Sequence, residues 1–126
     1  MEQVKLQGIW QAVAAERDGT SAPDLVGHIL ELTEDRFQIT RDGSLLFGGS
    51  YATDPCAEPA HIDFHQEDAP TLRGEWRGIY RLSGDGLEIV DNAYNMSQPR
   101  PAHFATQPGS GYVFVRFVSN SAPASV

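Results

Sequence analysis

The chain has one cysteine in 126 residues. Cys56 has no second thiol to pair with, so no internal disulfide supports the fold. It follows Pro55 in a loop-like stretch with no base nearby in sequence, which reads as an incidental thiol and not a nucleophile. Long apolar runs are also missing: none approaches the roughly eighteen residues that a membrane-spanning helix needs. Positive charge is scarce, since 9 Lys and Arg stand against 17 Asp and Glu, for a net charge of −8 with the 4 histidines neutral. A protein that tracks phosphate backbones needs clustered Lys and Arg, so nucleic acid is not an expected partner. An anionic membrane surface is excluded on the same ground. The opening MEQVKLQG shows no basic segment, apolar core or small-residue cleavage site, so no secretory signal is read and a cytoplasmic location is the expectation. A Gly-rich phosphate loop, a nucleophile elbow and a Cys–His zinc spacing are all absent. No haem, flavin or nucleotide motif is visible either, so no cofactor is expected.

What is present is a series of short β-type runs between turn signals. Hydrophobic residues make up 40% of the chain, the share of an ordinary globular domain. Asp18-Gly19, Asp42-Gly43, Gly84-Asp85-Gly86 and Gly109-Ser110-Gly111 punctuate stretches rich in β-branched and aromatic residues. Regular spacing of this kind predicts an all-β sandwich or barrel. Strands are predicted at 6–16, 27–33, 36–41, 45–53, 60–65, 72–82, 86–91, 101–106 and 111–118, with one short turn within 20–25. Asp42-Gly43 is the best hairpin signal, because both central residues of such a turn tolerate positive φ. The expected organisation is a single domain over 1–119 with a flexible tail at 120–126.

Alternation assigns faces, because successive side chains on a strand point to opposite sides. In LRGEWRGIYRL, residues 72–82, one face carries Gly74, Trp76, Gly78 and Tyr80, and the other carries Arg73, Glu75, Arg77, Ile79 and Arg81. The charged face belongs in water, so Trp76 and Tyr80 point inward. The same logic turns Leu45, Phe47, Gly49 and Tyr51 to one side, and Gly8, Trp10, Ala12 and Ala14 to one side. One apolar face per strand is what a sheet curled on itself requires, and closure removes exposed edges. The predicted fold is therefore an antiparallel up-and-down β-barrel of about eight strands.

A Gly-X-Trp in the first strand, here Gly8-Ile9-Trp10, with a basic residue late in the chain, here Arg116, resembles the structural signature of lipocalins and their calycin relatives. The resemblance implies that Trp10 closes the base of the barrel with Arg116 across its ring. Guanidinium on indole is a favourable cation–π pair. Gly8 would let the first strand bend or pass close to a neighbour. The order LQGIWQAVAAERDG, DRFQITRDG, GGSYATDP, PAHIDF, WRGIYRLSGDGLEI, RPAHFAT and PGSG also resembles a planctomycete-type family of small domains of uncharacterised function, over about residues 6 to 112. That resemblance implies no activity. The chain departs from it at Val90-Asp91, where a cysteine-containing strand end is expected.

Three groups of residues invite chemistry. His61, Asp63 and His65 share one strand face at about 7 Å spacing, with the outer pair roughly 13 Å apart. That suits a solvated face better than a metal site. The inward Tyr51, Trp76 and Tyr80, with glycines between them, read either as a filled aromatic core or as the wall of a ligand cavity. His28, Arg100 and His103 fall at predicted strand ends or loops, where they could line an open mouth and bind a carboxylate or act as acid and base. The leading expectation is a module that binds a small apolar or aromatic ligand in a cavity of roughly a few hundred Å³, with Tyr51, Trp76, Tyr80, His28, Arg100 and His103 around it. The alternatives are a cofactor-independent isomerase, cyclase or hydrolase, which needs two ionisable groups converging on one pocket, and a protein-interaction module. The last would use an outward Val113, Val115 and Phe117, given an inward Arg116. A monomer and a homodimer both fit.

Overall fold

Period-two alternation carries the chain into a single sheet that closes on itself. The computed structural model describes residues 6–67, 74–84, 86–93 and 96–119. The strands are β1 (Gly8–Arg17), β2 (Thr20–Ser21), β3 (Ile29–Thr33), β4 (Arg36–Arg41), β5 (Ser44–Asp54), β6 (His61–Gln66), β7 (Gly74–Ser83), β8 (Gly86–Asp91) and β9 (Val113–Ser119), with a 3-10 turn at Pro23–Leu25. Every pairing is antiparallel, neighbours in the chain are neighbours in space, and β1 pairs with β9 to close an eight-stranded up-and-down barrel. The two-residue β2 extends the sheet beside the end of β1. Asp42 and Gly43 take φ of 51° and 82°, the positive values expected of that hairpin. Residues 72, 73 and 120–126 of the sequence expectations lie outside the described residues. Among the described residues no helix is long and apolar enough to cross a membrane.

Taking the end where β1 starts as the lower end, β1, β4, β6 and β8 run upward and β3, β5, β7 and β9 run downward. The lower end is sealed by the segment before β1. Leu6 is fully buried, and its carbonyl accepts a 2.9 Å hydrogen bond from the Trp10 indole N–H. Gln7 donates to the Glu34 carbonyl at 2.9 Å and to the Tyr51 hydroxyl at 2.8 Å, and its side-chain oxygen accepts the Glu34 amide. Above this plug Phe37, Phe47, Tyr51, Phe64 and Trp76 form a chain of ring contacts with centroids 4.9–6.4 Å apart. Such tilted and edge-on pairs add stability beyond area burial.

Two bulges change the face assignment. Between β1 and β9 the register shifts after Ala12, so Val13 is the extra residue and Ala14, not Ala15, turns outward. Arg116 sits opposite Ala14 and Glu88 and is exposed, while Val113 and Phe117 are buried. The expected Arg116–Trp10 stacking is therefore not formed, and the outward Val113–Val115–Phe117 stripe is an inward one. Between β4 and β5 the register shifts around Leu46, which puts Phe47 inside and leaves Leu45 46% exposed. A bulge inserts one residue and so reverses the phase beyond it.

The expected strand at 101–106 is also absent. The described residues of 92–93 and 96–112 instead form a strap against the outer face of β6–β8. Arg100 donates to Asp63 at 2.6 Å and to the Gly78 carbonyl at 2.9 Å, Asn92 exchanges hydrogen bonds with the Arg77 backbone, and the Arg81 guanidinium lies 4.2 Å from the Phe104 ring centroid. At its far end Thr106 accepts the Gly19 amide at 2.8 Å. This cover explains why Ile79 and Val90, on the outer face, are 1% and 0% exposed when alternation with arginines placed Ile79 in water.

Gly78 is required by close approach. A Cβ there would lie 2.5 Å from the Val90 carbonyl oxygen and 2.9 Å from Asp91 Cβ, both on the adjacent strand. Overpacking of this kind costs roughly 1–3 kcal/mol, so Gly78→Ala is expected to lower stability by about that amount in urea unfolding with an unchanged slope. Arg116→Ala, at an exposed site off the Trp10 ring, is expected to change it by less than about 0.5 kcal/mol. The reverse order would mean that Arg116 does support the barrel.

Candidate functional site

Side-chain size is unevenly distributed along the barrel. The lower interior holds Leu6, Trp10, Leu32, Tyr51, Tyr80 and Leu87, all buried. The upper interior is lined by smaller groups, among them Leu30, Ile39, Ile89, Ala93, Val113 and Val115, above the Phe47, Phe64 and Trp76 rings. This leaves a cavity open to solvent at one end, with about 80 Å³ of space for the centres of water-sized spheres. The volume is smaller than the few hundred Å³ expected, because Phe47, Phe64 and Trp76 fill the middle of the barrel. A single water needs only about 10–15 Å³ on this measure, so the space takes a small molecule and not a large one.

Two polar side chains stand among the described lining residues, His28 and Asp91. His28 precedes β3 and is set by a backbone clasp: its carbonyl accepts the Ala12 amide, and the Ala12 carbonyl accepts the Gly27 amide, each at 2.9 Å. The turn at Pro23–Leu25 packs its buried Leu25 against Ala15, Ala22 and Val113, which brings His28 to the mouth. Burial lowers the His28 pKa below its ordinary 6.5, the Arg41 charge lowers it further, and Asp24 opposes both. The imidazole is therefore neutral at neutral pH.

Asp91 ends β8 on the same face as Leu87 and Ile89. Its cross-strand partner is Gly78, and the missing side chain there makes room for the carboxyl on the inner face. One carboxylate oxygen accepts the Ala93 amide at 3.0 Å. Asp91 keeps some accessible surface along the cavity, but the surrounding protein deprives the carboxyl of bulk water. That desolvation pushes its pKa up to about 6, with the Ala93 hydrogen bond opposing the rise. No ion pair joins Asp91 to His28 among the described residues.

Of the residues expected around a ligand, Trp76 and His28 line the cavity. Tyr51 and Tyr80 share the inner face but come late in descending strands, so they lie in the lower half. Arg100 belongs to the strap, paired with Asp63, and that pairing also takes Asp63 out of the His61–Asp63–His65 row as a metal ligand. His103 is exposed on the strap. Among the described residues no group of three His, Cys, Asp or Glu side chains could hold a metal. The glycines Gly49, Gly74 and Gly78 do not line the cavity; at Gly49 a Cβ would meet the His65 carbonyl oxygen at 1.9 Å, so the backbone approach itself needs glycine. Sequence reasoning missed Asp91, although its signal was available: in the predicted strand 86–91 it shares parity with Leu87 and Ile89.

No family model matches the chain, and neither a curated protein nor a solved structure matches it.

The environment of Asp91 has a pH signature. Its folded pKa lies above the ordinary 3.8, so between about pH 4 and 6 the folded state holds the proton while the unfolded state has lost it. Stability conferred on this account is present below that window and is lost as pH rises through it, by at most about 3 kcal/mol. His28 acts in the opposite sense, since its lowered pKa costs stability as pH falls. The difference between Asp91→Asn and wild type isolates the carboxyl. The variant is expected to match wild type near pH 4 and to become progressively more stable than it up to pH 6, measured by urea unfolding across that range. A pH-independent difference would mean that the Asp91 carboxyl is solvated.

Proposed function

We propose that this protein binds a small, largely apolar or aromatic molecule in the upper cavity of its barrel. One observation carries the reading: the interior is filled at one end and left open at the other, with an apolar wall bearing two polar side chains. Ligand pockets have this composition, with an apolar surface for affinity and a few polar groups for orientation. Small eight-stranded barrels either fill completely or hold one small ligand, and the upper half supports the second case. Phe47, Phe64 and Trp76 offer ring edges and faces to an aromatic guest.

A second reading keeps the cavity and adds acid–base chemistry. His28 and Asp91 both face it; burial raises the Asp91 pKa to about 6, toward the range where a general acid or base works best, and holds the His28 imidazole neutral by lowering its pKa. Tyr80, expected around the ligand, sits away from the cavity and has no part in this reading.

Toluene is a suitable first probe. Its addition is expected to shift the methyl resonances of Leu30, Val113 and Val115 and to change Trp76 fluorescence. Val115→Phe, which places a ring in the cavity, is expected to weaken binding at least about tenfold, with a far-UV spectrum like that of wild type. Shifts scattered over the outer surface, or none, would show that the cavity is not the binding site. Native mass spectrometry of the purified protein, set against its denatured mass, would reveal a ligand that co-purifies.

A further inference from the structure

The cavity has a charge asymmetry that its shape alone does not explain. Its wall is apolar on all sides. From β3 come Leu30, from β4 Ile39, from β5 Phe47, from β6 Phe64, from β7 Trp76, from β9 Val113, Val115 and Phe117, and none of these carries charge. Within this wall Asp91 presents a carboxyl with one oxygen bonded to a backbone amide, and no cationic side chain faces it among the described residues. The nearby cations are engaged at the rim. Arg41 donates to the carbonyls of Asp24 and Val26, and Arg17 pairs with the Asp24 carboxylate at 3.1 Å. Among the described lining residues the other titratable side chain, His28, is partly desolvated and stands near Arg41, so it brings no opposing charge and offers a hydrogen-bonding ring nitrogen.

A carboxylate held in apolar surroundings is best compensated by a cation that arrives with the ligand. An anionic ligand would be repelled, and a neutral donor would leave the charge in place. The chain's net charge of −8 further favours cations in the surrounding solution. Resting on the reading of this cavity as a binding site, we infer that its ligand class is a small apolar molecule carrying one protonated amine, with the ammonium group against the Asp91 carboxylate and the apolar body against Phe47, Phe64 and Trp76. His28 lies at the mouth, where it can accept a hydrogen bond from a second ammonium proton.

The test compares four probes of similar shape by calorimetric or NMR titration of the whole protein: benzylamine, benzyl alcohol, toluene and benzoate. At about pH 7.5 benzylamine is expected to bind at least about tenfold more tightly than benzyl alcohol, and benzoate not at all. With Asp91 titrating at about 6, moving to about pH 5 protonates most of the carboxyl. The benzylamine affinity is then expected to fall about tenfold while that of toluene is unchanged. In Asp91→Asn, whose amide oxygen still accepts the Ala93 amide, the preference for the amine is expected to vanish. Should toluene and benzyl alcohol bind in the cavity with benzylamine no tighter, the amine assignment is overturned and the binding-site reading stands. Should no probe bind, both are overturned. The wild-type comparison of the four probes decides the question even if the variant does not fold.

Discussion

The pairing of β1 with β9 is the constraint on which the rest of the structure depends. Without it the chain is a meander with two exposed edges. With it, each of the eight barrel strands has a partner on each side, and the inner face becomes an enclosed volume that side chains must fill. The bulge at Val13 lies inside this closing pair. By reversing the phase of β1 beyond Ala12 it sends Ala15 inward beside Val113, so that β1 stays in phase with the unbroken alternation of β9.

The closed volume is filled unequally. At the lower end large rings and the buried Leu6 meet, and the Trp10 indole and the Gln7 amide find hydrogen-bond acceptors in the same plug. At the upper end Ala93, Val113 and Val115 leave space, and the strap, anchored outside β6–β8, touches the cavity with Ala93 at its start. The strap makes the barrel wall thicker on one side by burying Ile79 and Val90 from without. That side carries β7 and β8, where Gly78 and Asp91 meet. The carboxyl is thus placed on the part of the wall held from both faces, an arrangement that fixes a polar group's position better than a loop does.

The legibility of the fold in the sequence followed from its repetition. Eight strands obeying period two, separated by glycine-centred turns, give many independent signals of the same kind, and the barrel is their shared consequence. The failures are local and have one physical form. Alternation fixes parity but not height, so Tyr51 and Tyr80 share the correct face with Trp76 yet sit at the wrong end. It also assumes an unbroken register, so Leu45 came out on the wrong side of an unseen bulge, while the inward Arg116 was implied by the resemblance to lipocalins and not by alternation. The 101–106 stretch has the short apolar and aromatic run of a strand, but Pro99 and Pro101 bracket Arg100, and the tertiary pairing of that arginine with Asp63 holds the segment across the sheet instead of in it. Asp91 stands in no recognisable motif; its signal is its inward parity with Leu87 and Ile89, a position where an acid is rare.

That rarity separates Asp91 from the other polar groups inside the molecule. Buried Gln66 accepts the Gly48 amide, Asn92 ties the strap to Arg77 and Gln98, and Thr106 joins Gly19 to Glu16. Each is satisfied by the fold and has a structural reason to be there. Asp91 receives one backbone amide and is otherwise set against an apolar wall, at a cost in stability that an asparagine would avoid. Its Ala93 contact does not require a charge. A fold that makes room for a carboxyl by omitting the side chain at Gly78, and sets no cation against it among the described residues, holds an interaction in reserve. Strongly perturbed groups in clefts cluster at functional sites for this reason. On the proposed reading the completing charge is what a ligand brings, so a preference for a cation and the stability cost of the buried carboxyl have the same origin.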